Sequence, residues 1–313
     1  MKTENMITQK KYDFLTEHLD KPRTPTFYGL PKIHKDFIEF PPLRPIVSNI
    51  NSCTRRMSEF LDSFLKYQAK LCSSFVRDTG QFLQKIESIN KQRLPNDSIL
   101  VTMDVSSLYT NIDQEEGAEA CFQKLEQRKN KLIPSNLLKS LILLVLKCNA
   151  FKFGSNIYQQ IMGTSMGTPM APNYANIFMD KFENEVINTY NQKTGFKPLV
   201  WFRYIDDIFF IWTDGHETLN DFIKYNQQFS ESNQMKSKIK FEVNTSTTMV
   251  TFLDVSVTLK DGTLKTKLYT KPTDAFLYLH KSSNHPNHVI NNIPKGQFIR
   301  IRRICGWQEK VTE

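Results

Sequence analysis

The sequence predicts an α+β fold, and three observations carry that expectation. Apolar residues recur at helical spacings over 54–94, 114–147, 172–190 and 216–230. Apolar runs of strand length, bounded by turn residues, occupy 99–104, 151–161 and 199–212. Apolar and polar residues alternate over 239–270, which predicts several antiparallel strands turning at Asp261-Gly262.

Composition narrows the class. A chain of 313 residues can form two or three subdomains with cores of their own. With 40% hydrophobic and 23% charged residues it is globular, and a disordered chain is excluded. The formal net charge of +9 and the pI near 9.1 favour a polyanionic partner, because each neutralised phosphate releases counterions. The 23 Phe and 11 Tyr supply burial and rings on which bases can stack. Five scattered cysteines with no CxxC pair imply a reducing compartment and no zinc finger. An intracellular location follows, the nucleus ahead of the cytoplasm. His285 and His288, in HPNH, read as loop and helix-cap residues. The polar start MKTENMITQKKYDF is no signal peptide. The run Leu137 to Leu146, broken by Lys139, is too short to span a bilayer and reads as a buried helix, so no membrane partner is expected.

Along the chain, the prolines of 22–50 separate strand-like runs, TFYGL and RPIVS. Residues 54–94 read as helical until Pro95-Asn96-Asp97 ends the stretch. Ile99-Leu100-Val101 begins a buried strand that ends near Asp104. Two helices follow, over 114–130 and 134–147, the second with Pro134 in its first turn. FKFGSNIYQQI predicts a hairpin turning at Gly154-Ser155-Asn156, and a helix runs from about Pro172 to Tyr190. LVWFRYIDDIFFIW predicts a buried hairpin carrying Asp206 and Asp207 at its tip. Beyond Pro272 the chain turns helical and basic, with HVINN and KGQFIRIRRIC as two short helices around Pro294 and Gly296, a helix-turn-helix layout.

The Asp pair is the sharpest chemical signal. Asp is common in turns, which is the plain reading. Apolar walls on both sides change the balance. Two carboxylates ~4 Å apart repel by roughly 4 kcal/mol at an effective dielectric of about 20. Sharing a proton or a cation relieves that repulsion, and a divalent metal is the natural neutraliser. Asp104, ending another buried strand, is a second place for a catalytic carboxylate, its plainer role being a helix N-cap. Tyr109, five residues on, could lie under a nucleotide sugar and exclude a ribose 2′-hydroxyl; otherwise it is core.

These motifs, in this order, resemble reverse transcriptases, and among them the Penelope-like retroelements, relatives of telomerase. FYGLPKIHK at 27–35 and PLRPIVS at 42–48 look like fingers motifs. DVSSLYTNI at 104–112 and RYIDDIFF at 203–210 look like the two aspartate motifs of the palm. GTSMGTPMAPNYANI at 163–177 is similar to the motif lining the template–nucleotide pocket, and FLDV at 252–255 to the segment near the primer grip. KPTDAFLYLHKSSNHPNHVINNIPKGQFIRIRRIC is the most Penelope-like piece. Met166 stands where many reverse transcriptases have Gln, and Ala171-Pro172 where they have Ser-Pro.

The resemblance implies a right-hand polymerase fold: an N-terminal extension over 1–19, fingers over 20–98 with part of 114–165 interleaved, an antiparallel-sheet palm over 99–270, and the start of a helical thumb over 271–313. It implies RNA-directed DNA polymerisation from deoxynucleoside triphosphates, with an RNA template, a DNA primer and an RNA–DNA duplex as partners. Asp104, Asp206 and Asp207 would hold two Mg²⁺ ions, with Mn²⁺ as the alternative. Lys32 and Arg44 would contact the triphosphate, and Tyr109, Met166 and Gly167 would line the nucleotide site. Lys295, Arg300, Arg302 and Arg303 would follow duplex phosphates, their plainer reading being a solvated helix face. Lys238 and Lys240 are candidates for a general acid. No GIY-YIG endonuclease motif follows Cys305 in this chain and the thumb is expected to be short, as in a fragment of a longer frame, an endonuclease-lacking lineage or a decayed copy. The alternatives are a truncated, catalytically silent nucleic-acid-binding remnant and a telomerase-like cellular polymerase. The intact aspartates speak against the first and LHKSSNHPNH against the second.

Overall fold

The computed structural model describes residues 6–17, 21–32, 39–272 and 274–305. In chain order its helices are α1 (Gln9–Thr16), α2 (Arg55–Ala69), α3 (Thr79–Ile89), α4 (Leu108–Asn111), α5 (Gln114–Glu126), α6 (Ser135–Lys147), α7 (Ala171–Thr194), α8 (Gly215–Ser232) and α9 (Asn287–Ile304). Its strands are β1 (Thr26–Pro31), β2 (Leu43–Ser48), β3 (Ile99–Val105), β4 (Ala150–Phe153), β5 (Asn156–Gln159), β6 (Val200–Tyr204), β7 (Asp207–Trp212), β8 (Phe241–Ser246), β9 (Met249–Phe252), β10 (Val255–Lys260) and β11 (Thr263–Leu268). Two compact units share the chain. The first takes Met1–Phe75, Val105–Gly195 and Ile223–Phe241; the second takes Val76–Asp104, Phe196–Phe222 and Glu242–Glu313.

The first unit joins a sheet of order β2-β1-β4-β5 to the helices α2, α5, α6 and α7. β1 and β2 pair antiparallel from Thr26 opposite Ser48 to Pro31 opposite Leu43. The β4–β5 hairpin turns at Gly154-Ser155, with Gly154 at φ 60° where a side chain would be strained. α5 approaches α7 closely because Gly117 presents no side chain: a Cβ there would lie 1.9 Å from Tyr174 Oη. Lys124 of α5 pairs with Asp180 of α7 at 2.8 Å, a largely buried contact.

The second unit holds a sheet of order β6-β7-β3-β8 and a three-stranded sheet of order β11-β10-β9. Phe209 on one face meets Phe82 of α3 and Phe252 of β9 at centroid distances of 5.3 and 5.9 Å. On the other face Phe210 stacks on Trp201 at 4.8 Å and meets Phe222 of α8 edge-on at 5.9 Å. Burial of both faces explains why IFFIW is apolar throughout instead of alternating.

Two expectations need correction. Residues 54–94 form two helices, with the break at 70–78. There Ser73 N and Ser74 Oγ donate to Asp180 and Glu183 of α7 at 3.0 and 2.7 Å, and the Asp78 carboxylate caps α3 by accepting from Gln81 N at 2.8 Å. Past residue 286, one continuous helix, α9, runs through both Pro294 and Gly296 where two short helices were expected. Proline removes one backbone bond. Anchoring at the far end offsets that loss: Ile304 is 3% exposed, and Thr266 Oγ1 donates to its carbonyl at 2.6 Å. Among the described residues all five cysteines are free, and no helix is long and apolar enough to cross a membrane.

Candidate functional site

The second unit brings two of the three aspartates face to face and places the third at the adjoining turn. β3 and β7 are antiparallel with Asp104 directly opposite Asp207. Opposed residues project from one face, with Cβ atoms ~4.5–5.5 Å apart. β6 and β7 close with Tyr204 opposite Asp207, which leaves Ile205-Asp206 as a two-residue turn and puts Asp206 at the tip.

That turn is strained. Ile205 has φ 56°, a left-handed conformation that a β-branched residue rarely adopts, at a cost of ~1–3 kcal/mol. Arg203 helps to hold it. Its side chain is fully buried, and Nη1 donates to Ile205 O at 3.2 Å. The Arg203 carbonyl in turn accepts from Val76 N at 2.8 Å, tying the hairpin to the chain that leads into α3.

The electrostatics follow from crowding. Burial pushes the Asp207 carboxyl up from 3.8 to about 6, and the charges of Asp206 and then Asp104 push the same way, with Lys271 opposing. Asp104 and Asp207 open onto a cavity of about 350 Å³ lined also by Thr102, Glu242, Asn244 and Thr251. Its donors are carboxylate, hydroxyl and amide oxygens, a hard set that suits Mg²⁺ or Mn²⁺. Among the described residues no three His, Cys, Asp or Glu side chains stand close enough to cage an ion unaided. The arrangement is a concentration of negative charge on one sheet face, suited to attracting cations.

Glu242 and Lys271 escaped sequence reasoning. Alternation in FEVNTS puts Glu242 and Asn244 on one face, but nothing local says that β8 lies beside β3. Lys271 is separated from Asp207 along the chain by α8 and the strands β8 to β11.

The first unit holds Lys32, Arg44, Tyr109, Met166 and Gly167. Arg44 lies opposite Leu30 and Lys32 N donates to Pro42 O at 2.8 Å, so both cations stand at one end of the β1–β2 ribbon. Val47 N of β2 donates to Met166 O at 3.2 Å. Gly167 has φ 144°, and a Cβ there would lie 2.2 Å from Val47 O. Thr164 N donates to Tyr109 O at 2.8 Å, so the loop over 163–168 touches both β2 and the segment carrying Tyr109. The backbones of Lys238 and Lys240 bond to that segment: Lys238 N donates to Asn111 O, and Lys240 O accepts from Ser106 N, each at 2.9 Å.

On α9, in the second unit, Lys295, Arg302 and Arg303 are exposed. Arg300 is exposed as well, and its Nε and Nη2 donate to Asp254 Oδ2 at 3.0 and 2.9 Å.

Residues 39–257 match the family model of reverse transcriptase (RNA-dependent DNA polymerase), and residues 277–313 match that of an animal helix-turn-helix domain. No curated protein sequence matches. Among solved structures, apo telomerase from Candida tropicalis superposes with a TM-score of 0.59 at 13% identity, over 82% of this chain and 50% of that one. Telomerase from Candida albicans in complex with a TWJ fragment of telomeric RNA gives 0.56 at 12% identity, over 84% and 48%. The RNA-dependent RNA polymerase of a human picobirnavirus gives 0.56 at 10% identity, over 79% and 46%. This chain spans about half the length of those structures. The likeness shows the fold, an α+β architecture with antiparallel sheets similar to right-hand polymerases.

Proposed function

Because the chain belongs to the reverse transcriptase (RNA-dependent DNA polymerase) family, we propose that it is the RNA-directed DNA polymerase of a Penelope-like retroelement, extending a DNA primer on an RNA template. One observation carries the reading: Asp104 faces Asp207 across β3 and β7, with Asp206 at the adjoining turn. LHKSSNHPNH, and Met166 before Gly167, support the Penelope-like subtype.

In this reading Asp104 and Asp206 would hold two Mg²⁺ ions, with Asp207 assisting and Mn²⁺ as a substitute. Ions held by these carboxylates would supply charge neutralisation for the primer 3′-hydroxyl and for the pyrophosphate. Arg44 offers the triphosphate a bidentate fork and Lys32 a point charge. Tyr109 lies under the sugar and excludes a 2′-hydroxyl. Gly167, next to Met166, lets the backbone approach the nucleotide closely. Lys295, Arg302 and Arg303 take phosphates of the RNA–DNA duplex.

Primer extension by the purified chain, with RNA and DNA templates, deoxynucleotides and Mg²⁺, tests this. Asp206→Asn should slow extension by ~10³ or more while duplex binding persists. Undiminished extension in that variant refutes the metal assignment. Binding without extension by the unsubstituted chain identifies a catalytically silent remnant instead.

A further inference from the structure

Tyr109 stands on α4, a single helical turn of four residues in the first unit. A helix of that length does not hold itself. Ser107, just before it, has φ 52°, a left-handed conformation that costs energy in any residue with a side chain. Bonds from distant segments therefore fix where α4 lies. Thr164 N donates to Tyr109 O at 2.8 Å. From the stretch 236–240, Lys238 N donates to Asn111 O and Lys240 O accepts from Ser106 N, each at 2.9 Å.

Glu116 of α5 fastens that stretch. Its Oε1 accepts from Lys236 N at 2.8 Å and its Oε2 from Ser237 N at 3.0 Å. Ser237 Oγ donates to Oε2 at 2.5 Å and accepts from Asp113 N at 2.8 Å. Ser237 is fully buried, so water cannot replace either partner of its hydroxyl. Asp113 caps α5, its Oδ1 accepting from Glu115 N and Glu116 N, each at 3.1 Å. A glutamate in the first turn of a helix is ordinarily explained by the helix dipole. This one turns both oxygens to the backbone of a segment 120 positions away. Residues 106–116 and 236–240 are thereby joined along their length, with Tyr109 on the joined stretch.

We propose that Glu116 is a positioning residue which, through Ser237, fixes the segment carrying Tyr109 and so sets how strictly the site distinguishes deoxyribose from ribose. The sugar as the discriminated group rests on the polymerase reading; the bonding does not. Excluding one hydroxyl requires a ring held to within ~0.5 Å. A one-turn helix whose neighbouring stretch has come loose lets the ring retreat by more than that. Glu116 acts through Tyr109, so its effect on selectivity requires the ring.

Two measurements on the full chain test this: the ratio of ribonucleotide to deoxynucleotide incorporation, as kcat/KM for each, and hydrogen exchange over 106–113. Glu116→Gln, which keeps the side chain's size and loses one acceptor, should raise the ratio several-fold and speed exchange of those amides. Ser237→Ala, which removes only the shared hydroxyl, should act in the same direction with a smaller effect. Added to Tyr109→Val, Glu116→Gln should raise the ratio no further, because both act on one contact. An unmoved ratio in both single variants overturns the proposal, and so does an undiminished increment on top of Tyr109→Val. Unmoved exchange over 106–113 in both variants overturns the fastening itself. Failure of the unsubstituted chain to extend a primer sinks the polymerase reading and the sugar role with it, while the exchange result still decides whether Glu116 fixes the segment.

Discussion

Asp207→Asn should make the metal-free protein more stable at pH 7, even though it weakens the proposed active site. The folded-state carboxyl titrates at about 6 instead of 3.8, first because it is buried and then because Asp206 and Asp104 are near. Folding therefore favours the protonated form. That contribution is complete below pH 3.8 and is lost as the pH rises through about 6. The interval corresponds to ~3 kcal/mol in full. Asp207 is half-buried, so solvent screening brings the expected gain to ~1–3 kcal/mol. The assay is urea denaturation in EDTA at pH 7 and pH 4, comparing Asn with wild type. The gain should be present at pH 7 and nearly absent at pH 4. Added Mg²⁺ should stabilise the wild type more than the variant, since only a site able to bind the ion gains from mass action. A variant no more stable than wild type at pH 7, or a gain of equal size at pH 4, refutes the argument from charge crowding.

Three other outcomes are expected. Tyr109→Val should raise ribonucleotide incorporation relative to deoxynucleotide incorporation; an unaltered ratio in competition assays removes the steric role of the ring. Gly167→Ala should cost ~1–3 kcal/mol, because a methyl group would meet the Val47 carbonyl at 2.2 Å in a backbone region reserved for glycine. A denaturation midpoint at the wild-type value contradicts that close approach. Phe82→Ala should cost ~3–5 kcal/mol, since the ring is fully buried among Phe202, Phe209 and Phe252. A smaller loss would mean that the surrounding rings collapse into the space.

Much of the architecture is legible wherever local chemistry decides it. The paired apolar runs around Asp206-Asp207 predict the β6–β7 hairpin, because only a strand buried on both faces tolerates IFFIW. Gly154-Ser155 predicts the β4–β5 turn for the same local reason. What escapes is whatever a distant partner settles. The break after α2 is fixed by Asp180 and Glu183, more than a hundred residues away. Arg300 reads as a free cation until Asp254, 46 positions earlier, is found beside it. Glu242 joins the aspartate cavity only because β8 neighbours β3. Pro294 carries a strong local signal for a break, and anchoring at Ile304 overrides it.

The chain passes between the two units five times, and one passage falls between Asp104 and Val105. The strand ILVTMDV therefore leaves the ribosome roughly a hundred residues ahead of β7, its antiparallel partner. At ~5–20 residues per second that interval lasts roughly 5–20 s. For that time an apolar, β-prone segment has nothing to pair with, a standing invitation to self-association. Nascent chains should thus depend on a holding chaperone until residue 212 has emerged. Proteolysis anywhere between β3 and β6 should yield insoluble pieces instead of two independently folded halves.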